Sequence, residues 1–198
     1  MTESILRLAA DNLYYAEALV SDIEDAKMAN QPAGLKNHPA WTLGHLAVGQ
    51  DIILQMLELP SALDPSWLRL FGPGIPPTDD RQNFPMKAEL ITVLKNSHDK
   101  VAAAVREHFD RRASAVNPIP PLVERFPTVG DLVLYFLTTH EATHLGQISA
   151  WRRAMEMPSV SVQARAAAPV ATAPVAPTIA ATREDDEPPA IAPTTAAV

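Results

Sequence analysis

Apolar residues recur with the period of an α-helix in four long segments of the chain. In the first, from about Glu3 to Lys27, Ile5, Leu8, Leu13, Ala16, Leu19, Val20 and Ile23 follow a 3.6-residue repeat. Asp11, Glu17, Asp22 and Asp25 fall elsewhere. The second runs from Pro39 to about Leu59, and Trp41, His45, Val48, Ile52 and Met56 form one stripe. Asn37 or His38 can cap it, Pro39 is pre-set for its first turn, and Pro60 stops it. Gly44 and Gly49 weaken it by about 1 kcal/mol each relative to Ala, which close approach of a neighbouring helix would compensate. The third segment runs from about Met86 to Phe109 and carries Leu90, Leu94, Val101 and Val105. The fourth begins at Thr128, three residues before Asp131, an acidic variant of the capping box. Its stripe is Val133, Leu137, His140, His144, Ile148, Trp151 and Met155, and Pro158 ends it.

Apolar alternation never persists, and hairpin turns of the Asn-Gly or Asp-Gly type do not occur. The fold class expected is therefore all-α, a four-helix bundle. The second and third helices are joined by a long Pro-rich stretch between Pro60 and Pro85. A helix of about 21 residues is roughly 31 Å long, and that stretch can cross it. The expectation is an up-down-down-up order with a long crossover, in which Asp64-Pro65-Ser66-Trp67 reads as a capped short helix.

Composition divides the chain. Of its 198 residues 47% are hydrophobic, but the 20 in residues 158–198 are 13 Ala, 5 Val and 2 Ile, interleaved with 7 of the 19 Pro. Small apolar residues broken by Pro cannot bury enough area to offset their ordering entropy. A folded unit over 1–157 and a disordered tail over 158–198 are expected. The chain has no Cys, which excludes disulfides, a thiolate nucleophile of its own and Cys-ligated metals. A net charge of −7 gives no support to nucleic-acid binding. No apolar run reaches the roughly 20 residues of a membrane span, and Met1-Thr2-Glu3-Ser4 lacks the basic start of a secretory signal. The expectation is a cytoplasmic protein, acting on a small molecule as a monomer or homodimer, with neither nucleic acid nor membrane as partner.

The histidines carry the chemistry. His140 and His144, in His140-Glu141-Ala142-Thr143-His144, are one helical turn apart on one face and can converge on one ion. The same text is the His-Glu-x-x-His pattern of zinc proteases, but those need a strand along the cleft, and none is expected. His45 lies on the apolar stripe of the second helix. Buried imidazoles must be hydrogen-bonded or cost about 1–3 kcal/mol per unsatisfied group. A shared metal satisfies His45, His140 and His144 together and leaves a coordination position open; separate hydrogen bonds are the alternative. Trp41 would wall the pocket or pack in the core. Gln147 would bond a metal ligand or a neighbouring helix. Glu141 is expected on a solvated face, with a supporting or basic role at the metal as the alternative. Asp51 is expected in solvent, His38 as a cap, and His98 without a role. Gly44 and Gly146 are expected to let the two histidine-bearing helices approach closely.

Asn37-His38-Pro39-Ala40-Trp41-Thr42-Leu43-Gly44-His45-Leu46 and His140-Glu141-Ala142-Thr143-His144-Leu145-Gly146-Gln147-Ile148 resemble the two signature segments of the DinB-like (DinB/YfiT) superfamily. The resemblance implies an up-down-down-up bundle binding a divalent metal through His45, His140 and His144. The ion would be zinc, nickel or iron. The enzymes of that superfamily imply S-transfer from a low-molecular-weight thiol, which a chain without Cys must borrow. A non-catalytic metal-binding or interaction bundle is the other reading.

Overall fold

Six helices and five short helical turns make up the computed structural model, which describes residues 2–160. Helix α1 spans Thr2–Val20 and stops well short of Lys27. Its end is taken over by side chains. Lys87 Nζ donates to the carbonyls of Val20, Ser21 and Ile23, and the Asp25 carboxylate accepts from the backbone N–H of Lys87 at 2.6 Å. The last carbonyls of one helix and a first amide of another are thus satisfied reciprocally. Arg81 closes the lock with a 2.7 Å bond to the same carboxylate, which it helps hold below the usual carboxylate range against the opposing effect of burial. Along α1, Leu8 is exposed, and Asn12 is buried in the stripe instead.

Helix α2, Pro39–Met56, is buried on nearly every face rather than along one stripe. The crossover covers it. Helix α3, Pro65–Phe71, lies within that crossover, capped by Asp64 as its sequence implied. Asp51, expected in solvent, is buried because its carboxylate accepts from the Ala62 amide and the Ser61 hydroxyl where the crossover starts. Gly44 admits the Phe71 ring: a Cβ there would lie 2.4 Å from two ring carbons. Phe71 is fully buried, so Gly44→Ala should cost about 1–3 kcal/mol in overpacking. Urea unfolding reads this directly, and an unchanged midpoint would show that the ring steps aside freely.

Helix α4 spans Lys87–Arg112. The last rod is one continuous helix of three parts: α5 over Val129–Tyr135, a π-turn over Phe136–His140, and α6 over Glu141–Ala154. Thr128 and Asp131 form the expected capping box. The interruption has a cause in the sequence. Buried positions Val133, Leu137, Glu141 and Leu145 step by four residues three times in succession. At 3.6 residues per turn such a run drifts around the axis, and a wider turn removes the drift.

Both α1 and α2 pack against α4 and against the last rod. No strand occurs among the described residues, apart from one bridge between Val116 and Thr128. The core is divided. One cluster holds Leu19, Leu43, Phe71, Leu94, Leu145 and Trp151; the other holds Leu6, Ile53, Val101, Leu132 and Leu137. Between them, one residue from each long helix forms a polar layer: Asn12, Gln50, His98 and Glu141. The expected tail lies outside the described residues beyond 160. Pro158 still accepts from the Arg152 guanidinium, and Val160 packs on the first cluster.

Candidate metal centre

Helix α2 supplies His45, the π-turn ends in His140, and α6 supplies His144. Their ring centroids are 5.2 Å (His45–His140), 4.7 Å (His45–His144) and 4.6 Å (His140–His144) apart. One ligand nitrogen of each lies within 4.8 Å of the others. A four-coordinate ion with bonds of about 2.0–2.1 Å sets its ligand nitrogens about 3.4 Å apart, so small ring rotations complete the fit.

The outer partners fix which nitrogens are available. His45 Nδ1 is 2.7 Å from the carbonyl oxygen of Phe71, which can only accept, so Nδ1 carries the proton and Nε2 keeps its lone pair. His144 Nδ1 donates to Gln147 Oε1 at 3.0 Å, and that oxygen also accepts from Asn37 Nδ2 at 2.9 Å. Gln147 therefore orients one histidine and ties α6 to the segment before α2.

The electrostatics favour lone pairs over protons. Burial pushes His140 down to about 3, and the neighbouring His144 and His45 push in the same direction. Burial takes His144 down to about 4, aided by His45. His45 is lowered by burial against the opposing pull of the Phe71 carbonyl. At neutral pH the triad is three uncharged imidazoles, the form a metal requires. Trp41 stacks flat on His45, centroids 4.5 Å apart and planes 12° apart. Phe136 and Tyr135 flank His140 at 4.9 and 5.7 Å. Gly49 faces the ring, and a Cβ there would sit in ordinary contact with it at 3.5 Å. His140 and His144 remain partly open to solvent. Three convergent imidazoles with a reachable face can bind an ion and still admit an exogenous ligand.

A family model of the DinB superfamily matches residues 11–148. The chain belongs to the DinB superfamily. No curated protein and no solved structure matches it. The matched span of this DinB-superfamily chain contains all three histidines and the polar layer beside them.

Several neighbours of the triad differ from expectation. Glu141 is buried and not on a solvated face: its carboxylate accepts from Gln50 at 2.5 Å and Asn12 at 3.2 Å and pairs with His98 at 2.8 Å. Gly146 has open space where its Cβ would be, and Gly44 receives Phe71, so neither brings the site helices together; Gly49 is the glycine of α2 that faces His140 and Phe136. His98, read as having no role, is one of the four polar residues between the cores. Its position was legible, since Leu94, His98, Val101 and Val105 continue one stripe of α4. The Trp41 indole Nε1 is buried without a hydrogen-bond partner among the described residues, so the residue serves the site through its flat face.

His38 caps α2 and shows the same preference for neutrality. Its Nδ1 accepts the Trp41 amide at 3.2 Å, so Nε2 donates to the Thr78 carbonyl at 2.9 Å. Burial pushes it down to about 4. A histidine depressed in the folded state binds protons more readily when unfolded. Its stabilising contribution is therefore complete above about 6.5 and falls away as pH drops towards 4. The melting temperature of His38→Asn, which keeps a capping side chain, should decline less over that range than that of the wild type. Parallel declines would show that His38 does not titrate on unfolding.

Proposed function

We propose that this DinB-superfamily protein is a divalent-metal-dependent enzyme acting on a small molecule, with His45, His140 and His144 as the ligands. The single observation that carries the reading is the meeting of three neutral, partly accessible imidazoles from α2 and the last rod, two of them aimed by outer hydrogen bonds. The donor set suits zinc, nickel or iron. Bound there, the ion supplies Lewis acidity that lowers the pKa of a thiol or water. The residues themselves hold and exclude: the Phe71 carbonyl and Gln147 fix ring orientation, and Trp41, Phe136 and Tyr135 limit solvent around the triad. With no Cys in the chain, a thiol substrate comes from outside. We place this site in an up-down-down-up bundle, α4 returning parallel to α2, in a cytoplasmic monomer or homodimer. No helix among the described residues is long and apolar enough to cross a membrane.

Metal analysis of the purified protein, followed by turnover of an electrophile with several low-molecular-weight thiols, tests both parts. Bound stoichiometric metal with thiol-dependent turnover is the expected result. Metal-free protein after reconstitution with zinc, nickel and iron overturns the reading. One observation favours a second reading, a non-catalytic metal-binding bundle: Glu141, the carboxylate next to a ligand, is committed to Asn12, Gln50 and His98 and is not free as a base. Metal without exchangeable solvent in its coordination sphere would favour that alternative.

A further inference from the structure

The π-turn ends at His140, and a side chain from another helix grips it. Asn12 Nδ2, on α1, lies within 3.4 Å of three acceptors: the carbonyl oxygens of Leu137 and Thr138 and Glu141 Oε2. The two carbonyls belong to the π-turn, and Glu141 is the first residue after it. Widening a helical turn disturbs the regular ladder of carbonyls, and buried carbonyls need donors. An amide NH2 is a donor with two hydrogens and suits this place; a carboxylate of the same shape would face only acceptors. Asn12 is 8% exposed, Gln50 1%, His98 7% and Glu141 2%, so water competes little for these bonds. The last residue of the same turn, His140, directs its ring towards Gly49 of α2.

We propose that Asn12 is a positioning residue of the metal centre: it holds the carbonyls of the π-turn and thereby sets the direction of His140. This rests on the metal-site reading above. Asn12 is far from the ligands in sequence and touches none of them in the contacts it makes. It acts through the backbone that carries His140. Gln50 and His98 hold the other end of the device, since both bind the Glu141 carboxylate that Asn12 also touches. The π-turn is thus gripped from α1, α2 and α4.

The test compares Asn12→Asp and Asn12→Ala with Val101→Ala in the full chain, using cobalt(II) as the metal probe. Asn12→Asp keeps size and loses the donor; Asn12→Ala serves if the aspartate variant does not fold. Val101 is buried in the second cluster and makes no hydrogen bond to the π-turn or the triad, so its variant is the control for a loss of core packing. The expected result is a 10- to 100-fold weaker cobalt affinity in the Asn12 variants, the range seen when a group supporting a ligand is removed. A shifted visible absorption band should accompany it, reporting altered coordination. Val101→Ala should lower the melting temperature and leave affinity and band unchanged. Wild-type affinity and band in both Asn12 variants would overturn the inference while leaving the metal reading intact. Equal weakening by Val101→Ala would also overturn it, since stability would then explain the effect. Wild-type protein that takes up no cobalt would overturn the metal reading and this inference with it.

Discussion

His140→Ala should abolish the rise in melting temperature that zinc gives the wild type. A ligand that binds only the native state stabilises by about 2.7 kcal/mol at a concentration 100 times its Kd. Removing one of three ligands reduces affinity far beyond that ratio, so the shift disappears. The metal-free variant should itself fold. The His140 ring is partly open to solvent and is uncharged at neutral pH, because burial and the two neighbouring imidazoles push its pKa down to about 3. Loss of the ring opens a gap beside Phe136 and Gly49 but strands no buried charge. Thermal melts with and without zinc, for wild type and variant, give the answer. A zinc-induced shift of equal size in His140→Ala would mean that the ion sits elsewhere.

The largest effect on stability at the polar layer is expected from Glu141→Ala. Its carboxylate is the common acceptor of Asn12, Gln50 and His98, one residue from each of the other three long helices. Truncation leaves three buried polar groups without their shared partner. A buried polar group left without its partner costs about 1–3 kcal/mol, and three are affected together, against a typical total stability of about 5–15 kcal/mol. Glu141→Gln should cost less, because its remaining oxygen still accepts while its new NH2 meets other donors. Urea unfolding of the three proteins orders them. A loss below about 1 kcal/mol for Glu141→Ala would show that the layer is not a unit.

The two variants separate two roles that adjacent residues play, and their legibility in the sequence differed for the same reason. His140, His144 and His45 were visible because a 3.6-residue period and a recurrent spacing place them inward without knowledge of any neighbour. The cap residues Asp64, Thr128 and Asp131 were visible because their partners lie within three residues. The burial of Glu141 and Asp51 is not legible because their partners are far away in sequence. A carboxylate off the main stripe reads as solvated until Asn12, Gln50 and His98 are brought to it, or until Ser61 and Ala62 fold back over α2. The end of α1 is hidden likewise, since Lys87 and not a local stop signal takes its carbonyls. The π-turn is not legible, because the four-residue step runs through Glu141, which reads as solvated until its distant partners are brought to it.

The crossover is pinned at both ends, by Asp51 near its start and by Asp25 near its close, while residues 73–76 between them are exposed. Gly74 has a φ of +80° with nothing within 4 Å of where a Cβ would be. An exposed loop tip between fixed anchors tolerates added sequence. It stands three residues beyond the Phe71 carbonyl that holds His45. An insertion at Gly74 should therefore leave the triad in place, which makes this tip a suitable point for grafting a foreign peptide.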